Sequence, residues 1–206
     1  MSKFYRVMYF LFAGLVRFFM GIRTHGLENE PADRKESFIV CANHISAGDP
    51  VAVCAALRRH QPHYMAKAEL FKIPVLNWIV KAFGAFPVKR GGADVGAIKT
   101  SIKMLEEGKV VGIFPQGHRY PGVHPSTTSV KNGATMIALH SGKPILPVLI
   151  KSKNYKTGIF RRIDVVIGKP ISVEELAYDP DKSGEHARIS KYIFDRICAL
   201  ESELEK

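Results

Sequence analysis

Residues 38–50 read Phe-Ile-Val-Cys-Ala-Asn-His-Ile-Ser-Ala-Gly-Asp-Pro. The first five are apolar or small without alternation, the pattern of a strand buried on both faces. A polar loop follows, Asn43 to Gly48. Then comes Asp49-Pro50, a pair suited to open a helix over 50–59 with Asp as N-cap and Pro as the first helical residue. Strand, loop and helix in that order form the repeating unit of an α/β sheet. Outward from this stretch the unit recurs. Further strands are expected at 63–66, 110–114, 145–150 and 163–167, each a short apolar run. Residues 95–107 place Val95, Ile98, Ile102 and Leu105 at helical spacing and stop before Gly108. Helices are also expected over 130–141, closed by Gly142, and over 184–204. The alternation predicts one α/β domain, a mixed and mostly parallel sheet covered by helices on both faces.

The chain has 206 residues, 46% hydrophobic and 24% charged, which suits one well-buried globular domain and argues against disorder. Lys and Arg number 30 against 19 Asp and Glu, a net charge of +11. Such an excess suits an acidic partner: lipid headgroups, a phosphorylated substrate, an acidic carrier protein or nucleic acid. Nucleic acid is disfavoured, because aromatic residues are not interleaved with basic ones and no helix-turn-helix or zinc-finger pattern is present. Cys41, Cys54 and Cys198 lack paired spacing, so neither a disulfide framework nor a metal site is expected.

Residues 1–27 read as a separate unit. Over 4–22 only Arg6 and Arg17 interrupt an apolar and aromatic run. Eleven residues separate them, so on a helix they lie about 20° apart on one stripe. The uninterrupted run between them spans about 15 Å as helix, roughly half a bilayer core. A helix lying in one leaflet, its arginines reaching headgroups, fits this best, with a tilted single span and a core helix of a soluble domain as the other possibilities. Residues 28–206 then form the globular domain. The stretch 70–86, rich in large apolar residues, suits either a membrane-facing surface or a core helix.

Three places could carry chemistry. His44 and Asp49 stand five apart across a turn made by Gly48 and Pro50; a carboxylate on one imidazole nitrogen fixes the tautomer and leaves the other as base. Phe114-Pro115-Gln116-Gly117-His118-Arg119 follows a strand and can present backbone amides and a guanidinium to an anion. Phe86-Pro87-Val88-Lys89-Arg90-Gly91-Gly92 places basic residues at a glycine-bordered strand end.

Together these blocks resemble the glycerolipid acyltransferase family, in its 1-acylglycerol-3-phosphate branch, over residues 38 to 151. Asn43-His44 through Asp49 is similar to the family's His-four-residues-Asp block. Ala66-Lys67-Ala68-Glu69-Leu70-Phe71 with Gly84 to Arg90 resembles its second block, and Phe114 to Arg119 stands where the third usually reads Phe-Pro-Glu-Gly-Thr-Arg. Ile145-Leu146-Pro147-Val148 resembles the fourth. The resemblance implies an O-acyltransferase that moves a fatty acyl group from acyl-CoA or an acyl carrier protein to 1-acyl-glycerol 3-phosphate, with no cofactor and no acyl-enzyme. In keeping with this, no Gly-x-Ser-x-Gly elbow is present. His44 would be the general base and Asp49 its orienting partner. Arg90 and Arg119 would hold the acceptor phosphate, with Lys67, Gln116, Gly117 and His118 also at the substrate and Pro147 shaping the acyl or acceptor cleft. Amides near Gly117 are expected to steady the oxyanion. Partners would be membrane phospholipids and a lysophospholipid, at the cytoplasmic face of the cell membrane. Gln116 for Glu and His118 for Thr depart from the family pattern. Gln116 keeps hydrogen-bonding reach toward an acceptor hydroxyl but loses charge, and His118 adds an imidazole that would tune the cleft. These departures leave another lysolipid or amino-lipid acceptor, or a non-catalytic lipid-binding relative, as alternatives.

Overall fold

A computed structural model describes residues 3–74, 77, 80–81, 84–88, 95–158 and 161–204. Its centre is a seven-stranded sheet in the order β1-β7-β6-β2-β5-β3-β4. The strands are β1 (Ile22–His25), β2 (Ile39–Ala42), β3 (Pro62–Lys67), β4 (Phe86–Val88), β5 (Val110–Ile113), β6 (Ile145–Ser152) and β7 (Ile163–Ile167). Every pairing is parallel except β6 with β7. Strands β2 to β6 therefore point the same way and end along one edge, where open α/β sheets gather their ligands.

The helices are α1 (Lys3–Phe19), α2 (Asp49–Ala56), α3 (Val95–Glu106), α4 (Gly133–Ser141) and α5 (Glu185–Ala199). Strand alternation divides the core in two. Phe38, Val40, Ala42, Leu146, Val148 and Ile150 face α2, packing with Ala52, Val53 and Leu57. Ile39, Cys41, Ile145, Leu149 and Val166 face the other way, against Leu105 of α3, Ile137 of α4 and Ile189 and Ile193 of α5. All four β2 residues are fully buried, which explains why that strand reads as an unbroken apolar run. Each such Ile or Leu contributes about 1.5–3 kcal/mol of burial.

Helix α2 ends at Ala56, α4 begins at Gly133 and α5 ends at Ala199, inside the expected spans, and two further boundaries differ from expectation. The amino-terminal unit does not run to residue 27: α1 ends at Phe19, Gly21 turns the chain at φ +59°, and Ile22–His25 joins the sheet beside β7. Asp49 is the first residue of α2 rather than its cap. Gly48 holds the cap position, and no side chain caps the helix there.

Helix α1 packs on α2. Tyr5 is buried, and Tyr9 donates its hydroxyl to the Ala55 carbonyl. Arg17 does not reach outward: its Nε donates to the Ala55 carbonyl at 2.8 Å, and its guanidinium also bonds the Tyr9 hydroxyl. It thus satisfies a carbonyl in the last turn of α2, which has no helical partner. The opposite face of α1 leaves Phe10 87% and Phe18 69% exposed, with Val7, Leu11, Leu15 and Phe19 beside them. No helix among the described residues is long and apolar enough to cross a membrane.

Candidate active site

Where β2 ends, Asn43 turns inward and is fully buried. Its amide donates to the Ile150 carbonyl at 2.9 Å and accepts the Ile150 N–H at 2.7 Å. Both ends of that side chain are satisfied by β6, so the exit of β2 is fixed and His44 begins from a rigid point.

His44 Nδ1 lies 2.7 Å from Asp49 Oδ2. The same oxygen accepts the N–H groups of Ile45 at 2.6 Å and Ser46 at 2.7 Å. The carboxylate thus turns back over the loop instead of capping the helix, and a single oxygen both folds the turn and holds the ring. Asp49 is 1% exposed, and the His44 side chain 13%. The imidazole stacks on Phe114, centroids 4.0 Å apart and planes 13° apart, and Phe114 stacks on Tyr64 at 5.1 Å. Tyr64 lies flat over Gly112, where a Cβ would come within 2.3 Å of its ring. The aromatic stack therefore needs glycine at that point of β5. The Tyr64 hydroxyl is buried without a hydrogen-bond partner among the described residues, and burial raises its pKa well above the usual range.

An acceptor carboxylate on Nδ1 makes that nitrogen the N–H donor and leaves Nε2 with the lone pair. Among the described residues none bonds to Nε2. The arrangement can take a proton from a hydroxyl brought to the carboxyl edge of the sheet and then stabilise the imidazolium. The nearby thiols offer no competing nucleophile: burial pushes Cys41 far up and Cys54 up to about 12.

The remaining expected residues fall in distinct places. Gln116 is buried at 1% exposure; its Oε1 accepts the His44 N–H at 2.6 Å and its Nε2 donates to Thr128 Oγ1 at 2.7 Å. Both polar atoms are engaged within the protein, so Gln116 braces the His44 backbone and does not reach toward an acceptor hydroxyl. Gly117 sits at φ +73°, but its N–H donates to the Phe114 carbonyl at 2.9 Å, so this amide does not serve an oxyanion. Lys131 crosses directly above it, close enough that a Cβ at 117 would meet its stem at 3.0 Å. His118 is exposed and packs on Tyr120 with centroids 4.3 Å apart, making no bond to His44 or Asp49. Arg119 is exposed and has no ion-pair partner among the described residues. The next residue, Tyr120, donates its N–H to the His44 carbonyl at 2.8 Å, which brings the Arg119 backbone alongside the histidine.

Lys67 ends β3 on the same edge, two strand spacings or about 10 Å from β2; it is half exposed and 3.7 Å from Glu69. Arg90 lies outside the described residues. Pro147 is buried in β6, opposite Cys41 and next to Gly168, sharing the face of Ile145 and Leu149. Its ring does not line the sheet face on which His44 stacks. Asn43, Tyr64, Thr128 and Lys131 are additions that the sequence reading gave no role. The Asn-His pair at a strand exit was the one local signal available for any of them.

The family model described as Acyltransferase matches residues 21–151, from β1 into β6. A 1-acyl-sn-glycerol-3-phosphate acyltransferase of Bacillus subtilis is 32% identical over 188 residues, covering 90% of this chain and 91% of that protein. One from Streptococcus pneumoniae is 30% identical over 155 residues, which is 74% of this chain and 56% of the longer relative. Among solved structures, the 1-acyl-sn-glycerophosphate acyltransferase PlsC from Thermotoga maritima superposes with a TM-score of 0.70 at 25% identity. That match covers 99% of this chain and 80% of the other. By the extent of the family match and the Bacillus relative, this chain belongs to the Acyltransferase family.

Proposed function

We propose that this chain is a 1-acylglycerol-3-phosphate O-acyltransferase. The observation that carries the reading is the 2.7 Å contact of His44 Nδ1 with Asp49 Oδ2, which leaves Nε2 open at the carboxyl edge of the sheet. The family, and the relatives whose names specify this reaction, support the choice of substrate.

In this reading His44 Nε2 takes the proton of the acceptor hydroxyl as its oxygen attacks the thioester carbonyl carbon. The tetrahedral intermediate collapses, the carbon–sulfur bond breaks, and the imidazolium returns its proton to the leaving thiolate. Asp49 holds the ring and offsets the positive charge that forms on it. Arg119, with Arg90 and Lys67, receives the acceptor phosphate; a guanidinium matches its geometry in bidentate fashion. The donor is acyl-CoA or an acyl carrier protein, both of which suit the +11 charge of the chain.

The apolar outer face of α1 supports a location on a bilayer surface. Helix α1 has 17 residues, about 26 Å of helix, and its exposed aromatic face would sink into one leaflet while Tyr5, Tyr9 and Arg17 hold it to α2. The acceptor would then be met at the cytoplasmic membrane surface.

The test is mass-spectrometric identification of the product from purified protein, acyl-CoA and vesicles carrying 1-acyl-glycerol 3-phosphate. Phosphatidic acid is expected from the wild type, and about 10²–10⁴-fold less from His44→Ala. Equal product from both proteins would remove His44 from the chemistry.

A further inference from the structure

The segment from Gly117 to Lys131 leaves and returns to one point: the Lys131 N–H donates to the Pro115 carbonyl at 2.8 Å. Loops closed in this way are compact surface units. This one carries Arg119, touches the His44 carbonyl through Tyr120, and reaches the His44 N–H through Thr128 and Gln116. Its attitude therefore sets where a headgroup meets the histidine.

Its far side is tied to a single carboxylate, Glu201, in the turn Leu200–Leu204 that follows α5. His124 Nε2 lies 2.8 Å from Glu201 Oε2, and the Tyr155 hydroxyl donates to the same oxygen at 2.7 Å. Lys151, at the end of β6, pairs with the other oxygen. His124 Nδ1 accepts the Ser126 N–H at 3.2 Å, so Nε2 carries the proton and donates it to Glu201. A second tie runs from the Gly122 N–H to the Tyr155 carbonyl at 2.8 Å. Tyr155, which offers its carbonyl to Gly122 and its hydroxyl to Glu201, sits at φ +51° beside Asn154 at φ +56°. Two adjacent residues with side chains rarely adopt that region, and such strain persists where surrounding contacts over-determine it. Glu201 itself is anchored, because its neighbour Leu200 is buried in the core under α5.

We propose that Glu201 is a positioning residue: through His124 and Tyr155 it holds the 117–131 loop, and with it Arg119, at the level where the acceptor phosphate docks beside His44. This rests on the acyl-transfer reading above for the role of Arg119. The holding itself can be tested separately.

Two measurements on the full chain decide it. In hydrogen–deuterium exchange, Glu201→Ala is expected to speed exchange over 117–131 about tenfold or more while β2 and α5 stay protected. In acyl transfer, the same variant is expected to raise KM for 1-acyl-glycerol 3-phosphate about ten- to hundredfold with kcat within about threefold of wild type. Should Glu201→Ala fail to fold, Tyr155→Phe removes one hydroxyl and is expected to give the same pattern at smaller size. Unchanged exchange over 117–131 in the folded variant overturns the proposal, as does a fall in kcat with KM unmoved. Faster exchange in a protein whose wild type turns over no lysolipid supports the holding role and overturns the acyl-transfer reading instead.

Discussion

Two histidines in this protein meet a carboxylate through Nδ1, at opposite edges of the same sheet. His44, beyond the end of β2, lies 2.7 Å from Asp49; His60, just before β3, lies 3.1 Å from Glu30. Both carboxylates also gather backbone N–H groups: Asp49 those of Ile45 and Ser46, Glu30 those of Arg58, Arg59 and His60. The difference is the second nitrogen. His60 Nε2 is bonded to the Asp33 carbonyl at 3.0 Å and the ring is 2% exposed, its edge against Phe38. His44 Nε2 has no partner among the described residues, and its ring lies face-down on Phe114 at the rim of the sheet. The imidazole–carboxylate contact is thus a folding clamp at His60, where both nitrogens are occupied, and leaves at His44 one nitrogen open to act as a base. The contact alone does not distinguish them.

The comparison can be strained hardest at Asp49. Because one oxygen holds both the turn and the ring, Asp49→Asn can keep that oxygen in place and lose only the charge. Asp49→Ala loses all three bonds. We expect kcat to fall about 10²-fold in the Asn variant with its melting temperature nearly kept, and both activity and stability to fall further in the Ala variant. Thermal melts beside steady-state rates separate the two. Equal stability of both variants would show that the turn does not depend on this oxygen.

At the clamp the expected loss is in stability. Glu30 is buried. Burial alone would raise its pKa, but the His60 hydrogen bond and the N–H groups of Arg58 and Arg59 bring it below the usual carboxylate range. Glu30→Ala leaves the buried His60 donors and the part-buried N–H groups of Arg58 and Arg59 without their acceptor, at a cost of about 3 kcal/mol, while the folded fraction keeps its kcat. A carboxyl held below its unfolded pKa stabilises the fold fully above that value and loses the contribution as pH falls through the folded pKa. Denaturant midpoints should therefore drop from about pH 4 downward in the wild type, and do so less steeply in Glu30→Gln.

The smallest effect is expected at Gln116. Its removal frees the His44 N–H and the Thr128 hydroxyl but leaves the Asp49 contacts intact. Gln116→Ala should lower kcat/KM about tenfold. Gln116→Glu should fall less, once the Thr128 hydroxyl swings from the Pro125 carbonyl toward the carboxylate. A Gln116→Ala enzyme at wild-type rate would show that the brace is dispensable.

The layered α/β fold was legible because β2, β5, β6 and β7 are apolar runs buried on both faces, and because Gly108 and Gly142 mark helix ends. Strand β1 was not: Ile-Arg-Thr-His at a sheet edge offers one apolar residue, and its pairing depends on β7, some 140 residues later. The meeting of His44 with Asp49 could be read from a five-residue spacing across a turn. That Asp49 faces back into the loop could not, since that choice depends on the amides of Ile45 and Ser46 competing with the helix for one carboxylate. Arg17 appeared as a headgroup ligand because a stripe on a lone helix has no partner; with α2 present, the Ala55 carbonyl is nearer. Gln116 bonds the His44 N–H and Thr128, and Glu201 bonds His124, contacts that no local pattern announces.

The most direct measurement is the rate of acyl transfer per folded molecule in His44→Gln and His60→Gln, side by side, with folding checked by circular dichroism. The account predicts a loss of about 10²–10⁴-fold for the first and a rate near wild type for the second. Equal losses at the two histidines, or none at His44, would contradict it.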